Sequence, residues 1–167
     1  MPVRTEEVTM EKYDWGKLTH LQLGRYAEYF VKMEFTRHGF DVYTAEVDDK
    51  GINFVIRKER KDADGATNIE YRDVQVKSVR RLNYVFIGKD KLTLRENPLV
   101  AVALFENGEL PNLYLIPATK WQQHDALFVD RDYEGLKSKP EWGLNLSRRN
   151  LKLIEQYKLD RTIEQIQ

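Results

Sequence analysis

The chain has 167 residues, of which 41% are hydrophobic and 32% are charged, and its 27 basic residues equal its 27 acidic residues in number. This length suits one domain with a substantial core, and the absence of net charge removes the argument for general nucleic-acid binding through a basic field. The lack of cysteine excludes disulfides, thiolate zinc sites and cysteine nucleophiles.

The sequence contains no pattern typical of export or of a membrane anchor. Its first residues lack the apolar core of a signal peptide, and no apolar run approaches the roughly 20 residues that cross a bilayer. We therefore expect a soluble, cytoplasmic protein with no membrane partner. Residues 1–18 are mainly polar and are predicted to form a loose lead-in, and 19–167 are predicted to form one domain.

The first predicted element is a helix over 19–38. Apolar residues such as Leu21, Val31 and Phe35 recur there at helical spacing. Gly39 then ends the helix, because glycine readily adopts the left-handed conformation favoured after a helix.

Strands make up much of the remaining chain. Alternating and apolar segments predict them over 40–47, 52–57, 70–79, 83–88, 98–105 and 113–116. The polar segment 58–68 lacks periodicity and is predicted to be a mobile loop. A short helix over 117–121 and a last helix capped by Ser147 complete the order. We therefore expect an α/β fold, with the N-terminal helix packed on a central mixed sheet and further helices after the hairpin and at the C-terminus.

Polar residues interrupt two of the predicted strands. Asn53 lies between Ile52 and Phe54, and Gln75 precedes Lys77 by two positions. Because side chains alternate along a strand, Gln75 and Lys77 share one face, and the neighbouring valines turn to the other. A polar site can be mounted on a rigid sheet in this way.

Glu28 is the third unusual polar residue. It lies on the apolar stripe of the predicted helix, where a carboxylate is costly unless it has a partner or a task. Two interpretations stay open. Glu28 either pairs with Arg25 or Lys32 at the boundary of the stripe, or it faces the sheet as a ligand of a metal ion or a water molecule.

These segments resemble the PD-(D/E)xK nuclease-fold superfamily. Glu28 on a first helix, the sequence Gly-Ile-Asn-Phe at 51–54 and the sequence Gln-Val-Lys-Ser at 75–78 have the order and spacing of its motifs. The chain looks similar to uncharacterised bacterial members that have Gly-Ile-Asp-Phe followed by Gln-Val-Lys-Ser. The likeness covers roughly residues 20–121 and implies a restriction-endonuclease-like core.

The resemblance implies a metal-dependent chemistry. In the superfamily, acidic residues hold one or two magnesium ions, and a lysine positions the attacking water and stabilises charge on the phosphate. Phosphodiester hydrolysis needs such a hard cation, oxygen ligands and a nearby positive charge. Carried over by position, Glu28, Asn53 and Gln75 would hold Mg²⁺ or Mn²⁺, and Lys77 would complete the catalytic set.

The resemblance also implies DNA or RNA as the ligand. Next to the catalytic lysine, the chain has further residues that could contact phosphates, and by position these are Ser78, Arg80 and Arg81. Without a metal ion, Lys77 and the two arginines would form a phosphate-binding surface.

Amides in place of acids depart from the superfamily's pattern. Gln75 is found within the uncharacterised members, but Asn53 replaces an aspartate and is a neutral ligand. A unit charge pair about 4 Å apart is worth about 4 kcal/mol at an effective dielectric near 20. We therefore expect weak metal binding, if any, and impaired or absent catalysis.

Three explanations for Asn53 stay open. Asp48 or Asp49 in the preceding turn could supply the missing charge, the natural protein could have lost catalysis and kept a binding surface, or Asn53 could be an introduced change.

Two functions therefore compete. One is a nuclease-like domain that acts on or binds nucleic acid, and the other is a non-enzymatic interaction or dimerisation module on the same fold, with a homodimer as one form.

Overall fold

A computed structural model of the chain describes residues 12–166. Residues 1–11 of the predicted lead-in therefore lie outside the described residues. Its later part is not loose, because a 3₁₀ turn over Trp15–Lys17 buries Trp15. The Trp15 ring packs edge-on against Phe105, with ring centroids 5.0 Å apart, so this segment belongs to the core.

Three α-helices and eight strands are found among residues 12–166. The helices are α1 (His20–Arg37), α2 (Leu151–Ile154) and α3 (Leu159–Gln165). The strands are β1 (Asp41–Thr44), β2 (Phe54–Lys61), β3 (Thr67–Arg80), β4 (Tyr84–Gly88), β5 (Leu99–Phe105), β6 (Asn112–Pro117), β7 (Phe128–Arg131) and β8 (Glu141–Asn145). None of these helices is long and apolar enough to cross a membrane.

The boundaries of α1 follow from its capping residues. The Thr19 side chain accepts a hydrogen bond from the N–H of Gln22, and the Gln22 side chain accepts one from the N–H of Thr19. This capping box satisfies two N–H groups that a helix start leaves without partners. Gly39 follows the helix with φ +78°, as predicted. Leu21, expected on the apolar stripe, is instead 88% exposed.

The strands form two sheets. The larger has the order β1-β2-β3-β5-β6, and the smaller has the order β4-β8-β7. All neighbouring strands are antiparallel except β3 and β5, which run parallel. The expected α/β fold, with a mixed sheet, an N-terminal helix and C-terminal helices, is confirmed at this level of description, and the mixed sheet has five strands.

The crossover between β3 and β5 shapes the surface near the site. Parallel neighbours cannot be joined by a tight hairpin, and residues 81–98 make this connection by way of β4. Leu92 of the crossover is buried in the core between the two sheets. The indole N–H of Trp142 in β8 donates to the Leu92 carbonyl over 3.1 Å. The crossover is therefore anchored on the side of β3 that faces away from α1.

The two faces of the larger sheet have different neighbours. Helices α1 and α3 cover one face, where Phe35 packs with Phe54 and Val74. The smaller sheet covers the other face over β5, β6 and the end of β3. On that other face, β1, β2 and the first half of β3 are left open, and Tyr43 and Tyr71 are more than half exposed there.

Several predicted elements differ from the structure. Most of the predicted loop 58–68 is a paired hairpin, in which β2 and β3 extend to a turn at 62–66. Its two faces are both largely solvated, so apolar periodicity is absent although the backbone is fully paired. Strands β7 and β8 were not predicted either, because segments of four and five residues that mix apolar and charged side chains are too short to show a clear alternation. The last helix is broken into short turns, and the Ser147 side chain makes no capping bond.

Candidate functional site

Asn53 joins β2 to β3 at the point where β2 begins. Its backbone N–H donates to the carbonyl of Val74 over 3.0 Å, and its side-chain Oδ1 accepts the N–H of Val76 over 2.7 Å. In the hydrogen-bond ladder between β2 and β3, the Asn53 side-chain oxygen thus replaces a backbone carbonyl as the acceptor for the N–H of Val76. This gives Asn53 a structural task independent of any metal ion.

Asp48 completes a short chain of hydrogen bonds at this point. The Nδ2 of Asn53 donates to the Oδ2 of Asp48 over 3.3 Å. Because the N–H of Val76 requires an acceptor, the amide must place its oxygen there and its NH₂ group toward Asp48. An aspartate at position 53 would keep the bond to Val76 but would set two carboxylates side by side.

Gln75 is a buried amide with incomplete hydrogen bonding. The residue is only 8% exposed, and its Oε1 has no hydrogen-bond partner among residues 12–166. A buried polar atom left in this state costs about 1–3 kcal/mol. Gly51 approaches the same amide so closely that a Cβ at position 51 would lie 3.1 Å from Nε2 of Gln75. A larger residue at 51 would therefore press on Gln75.

Lys77 lies two residues further along β3, on the same face as Gln75. Its side chain is partly buried, and within the described part of the chain its ammonium makes no hydrogen bond and no ion pair closer than 4.0 Å. Burial lowers the pKa of Lys77 from its ordinary value of 10.5, and the carboxylate of Asp48 partly opposes that shift. The structure therefore brings Asp48, Asn53, Gln75 and Lys77 to one place.

Glu28 does not join this group. It is 7% exposed, and its two carboxylate oxygens accept hydrogen bonds from Arg25 over 2.9 Å and from Lys32 over 2.6 Å. Helix α1 packs on the face of the sheet that carries Phe54 and Val74, whereas Gln75 and Lys77 point to the opposite face. The pairing interpretation of Glu28 is confirmed, with both basic partners engaged.

The residues predicted to contact phosphates are also divided between the two faces. Ser78 faces α1, since a Cβ on Gly24 would lie 3.8 Å from its Oγ. Arg80 likewise turns to the α1 side and donates a hydrogen bond to the carbonyl of Leu18. Arg81 follows the end of β3 in a left-handed conformation with φ +58°. Of the four predicted residues, Lys77 alone lies beside Gln75.

The predicted ligand set does not fit a divalent cation. Mg²⁺ and Mn²⁺ need several oxygen ligands that converge on one point. The oxygens of Glu28 are held by Arg25 and Lys32 on the other side of the sheet, and the oxygen of Asn53 faces the N–H of Val76. Gln75 alone of the three has an oxygen without a partner among the described residues.

A cleft opens beside Gln75, between β3 and the crossover. Its volume is about 280 Å³. Six charged residues lie on its wall, three of each sign: Asp49, Asp73, Asp90, Lys50, Lys91 and Arg95. Arg95 pairs with Asp73 over 3.0 Å, and the ammonium of Lys91 donates to the backbone carbonyl of Asp49 over 2.5 Å. Apolar groups of Ile52, Leu92 and Pro98 complete the lining.

Sequence reasoning did not identify this cleft. The basic residues at 89–95 were visible as a charge cluster, but such clusters are usually solvated faces. The signal that could have found the cleft was the pair Leu92 and Leu94, two apolar residues within that polar stretch. An apolar residue in such a place indicates that the segment folds back onto the core.

A second polar cluster lies at the end of α1. Ligand atoms of Glu34, His38 and Asp160 come within 4.8 Å of one another. Arg37 lies among them and donates to Glu34 over 2.6 Å and to Asp160 over 3.3 Å. The Arg37 guanidinium pairs with both carboxylates, so this cluster is best described as a partly exposed ion-pair network.

No protein-family model matches the chain, and no curated protein or solved structure is significantly similar to it. The assignment to the PD-(D/E)xK superfamily therefore stays a prediction that depends on the segments at 51–54 and 75–78.

We expect Asn53→Asp to raise the affinity of the protein for Mg²⁺ at least about tenfold, because a carboxylate beside Asp48 attracts a dication that an amide does not. The wild-type protein should bind Mg²⁺ with a Kd of about 1 mM or weaker. Isothermal titration calorimetry with MgCl₂ measures both values. Asn68→Asp, on the exposed arm of β3, is the matched control and should leave the affinity unchanged. Tight binding by the wild type would show instead that Asp48 or Asp49 already acts as a ligand.

Lys77→Met should increase the free energy of unfolding near pH 7. Because the folded-state pKa of Lys77 lies below its ordinary value of 10.5, the charged lysine opposes folding at neutral pH. That penalty disappears as the pH rises from the folded-state pKa through 10.5, so the advantage of Lys77→Met should shrink over this window. Urea denaturation at pH 7 and at pH 10 measures the difference.

The exposed Lys61 provides the control for this measurement, since Lys61→Met should change stability little at either pH. A difference between Lys77→Met and wild type that is the same at pH 7 and pH 10 would contradict the buried-charge account.

Proposed function

We propose that this chain is a nuclease-like domain that binds nucleic acid through phosphate contacts at Lys77, without a metal ion and without efficient hydrolysis. The observation that carries the proposal is the state of the Lys77 ammonium, which is partly buried and makes no hydrogen bond or ion pair with residues 12–166, although the carboxylate of Asp48 acts on it from a longer distance. A phosphate oxygen would supply the negative charge that this ammonium lacks.

Binding is better supported than cleavage by the chemistry of the neighbouring groups. Metal-dependent hydrolysis requires a cation held close to the attacking water and the leaving group. Glu28 is neutralised on the other side of the sheet, and Asn53 holds the end of the β2–β3 ladder. Asp48 is a carboxylate that acts on Lys77, and it already accepts a hydrogen bond from Asn53.

The charge balance of the chain predicts the character of this binding. With 27 basic and 27 acidic residues, long-range attraction to a polyanion is small. Each phosphate neutralised contributes a slope of about −0.9 for duplex DNA, or about −0.7 for a single strand, to the dependence of log K on log salt concentration. We therefore expect modest affinity with a shallow salt dependence set by a few local contacts.

Lys77→Met should weaken nucleic-acid binding about tenfold, because it removes a charge-assisted contact to phosphate. Fluorescence anisotropy with labelled single-stranded and duplex DNA and RNA, at 50 and 200 mM NaCl, measures the affinity and its salt slope. Lys61→Met removes an equal charge from the exposed end of β2 and should leave the affinity within about twofold. Incubation of the same oligonucleotides with Mg²⁺ should produce no cleavage.

The alternative is an interaction module that does not bind nucleic acid. The open face of the larger sheet favours it, because Tyr43 and Tyr71 are exposed there beyond the edge of the smaller sheet. Absence of salt-dependent binding to every oligonucleotide, together with self-association in analytical ultracentrifugation, would replace the proposal with this alternative. Mg²⁺-dependent cleavage by the wild type would contradict the metal-free account.

A further inference from the structure

The cleft beside Gln75 has the properties of a pocket for a heteroaromatic ring. We infer that it accepts one nucleobase, whose own phosphate lies at Lys77. This inference rests on the proposed function, because the phosphate at Lys77 would bring the base to the cleft. The proposed function involves phosphate contacts alone. The base-binding site adds a contact to the base, and therefore a preference for unpaired nucleotides.

The charges around the cleft favour a neutral ligand. Three acidic and three basic side chains lie on its wall, so the cleft presents no net charge. Arg95 is already paired with Asp73, and Lys91 is held by the backbone carbonyl of Asp49. Because the acidic and basic side chains on the wall are equal in number, a neutral base fits the cleft better than a phosphate or a metal ion does.

The Gln75 amide provides the means to recognise a base edge. Its Oε1 has no partner among residues 12–166, and the residue lines the cleft. Oε1 is buried in the structure, so the amide would turn about its last torsion, which is broad in glutamine, to present both its oxygen and its NH₂ group to a base. Every base has an N–H donor beside an acceptor on its Watson–Crick edge, and such an edge would satisfy both atoms of the amide.

The cleft also has suitable size and walls for a flat ring. Its volume of about 280 Å³ suits one nucleoside rather than a peptide or a duplex. Ile52, Leu92 and Pro98 provide apolar contacts for the faces of the ring. Gly51 borders this space, and a Cβ there would lie 3.0 Å from the Cβ of Lys91. A side chain at position 51 would therefore press on both Lys91 and Gln75.

The spacing of the two groups matches one nucleotide. Gln75 and Lys77 are separated by two residues on the same face of β3, which corresponds to about 6.6 Å. A base and the phosphate attached to its sugar are a comparable distance apart. Because a paired base cannot reach such a pocket, the ligand would be a single strand or a nucleotide turned out of the stack.

An abasic oligonucleotide tests this inference. Fluorescence anisotropy compares a labelled single-stranded 7-nucleotide DNA with the same strand carrying an abasic residue at the central position, for the wild type and three variants. Gln75→Met should weaken binding of the intact strand about tenfold and leave the abasic strand unchanged, because the amide contacts the base only. Lys77→Met should weaken binding of both strands equally. Gln123→Met, on an exposed residue outside the cleft, is the control and should change neither.

The outcomes separate the base pocket from the phosphate site. Equal affinity of the wild type for intact and abasic strands, with Lys77→Met still impaired, would overturn the pocket and leave the proposed function in place. An equal loss for both strands in Gln75→Met would also overturn it. A parallel titration with AMP, GMP, CMP and UMP distinguishes a free nucleotide from a strand as the source of the base. Absence of binding to every strand and every mononucleotide would overturn both proposals.

Discussion

The packing of Phe54 and Val74 beneath α1 determines the position of each polar side chain at the site. Both residues are fully buried in the core that α1 and α3 form with the larger sheet. Because side chains alternate along a strand, burying Val74 on that side forces Gln75 and Lys77 to the other. The same packing aligns the start of β2 with β3, so that Asn53 reaches the N–H of Val76. The polar site is thus a consequence of an apolar contact on the opposite face.

The amide at position 53 is well suited to this place and poorly suited to metal chemistry. Its oxygen accepts a bond from β3 and its NH₂ group donates to Asp48, so both ends of the amide are used. An aspartate would satisfy only one of these contacts. At position 53, where a metal-dependent enzyme would need an anion, this protein therefore has an amide that completes the hydrogen bonds between β2 and β3. Lys77 is then the group at the site that can attract a charged ligand.

Much of the fold could be predicted because its signals are local. The capping residues of α1, Gly39 and the alternation of valines around Gln75 and Lys77 are all readable within a few positions. The long β2–β3 hairpin could not be predicted, because both its faces are largely solvated and its strand character comes from cross-strand pairing. Strand β8 pairs with β4, which lies more than fifty positions earlier along the chain, and β7 joins the sheet only through β8. No local sequence pattern indicates such a distant partner.

The candidate site was predictable in part for similar reasons. Gln75, Lys77 and Asn53 were found from strand alternation and from the resemblance, and the structure places them together. Glu28 was found as an anomaly on an apolar stripe, but which side of the sheet it would face depends on where α1 packs. The cleft depends on the parallel pairing of β3 with β5, which sends the crossover over Gln75. The pairing of β3 with β5 depends on the whole sheet, so no short sequence motif predicts it.

We propose that the Lys77 ammonium binds a phosphate. Measuring the pKa of Lys77 with and without a phosphodiester tests this proposal most directly. Chemical shifts of the Lys77 Cε, followed by NMR in a pH titration of the protein with selectively ¹³C-labelled lysine, report this pKa. We predict a pKa below 10.5 for the free protein and a rise when a short oligonucleotide is added, because an adjacent anion favours the charged lysine. An ordinary pKa that does not respond to the oligonucleotide would show that Lys77 does not bind phosphate.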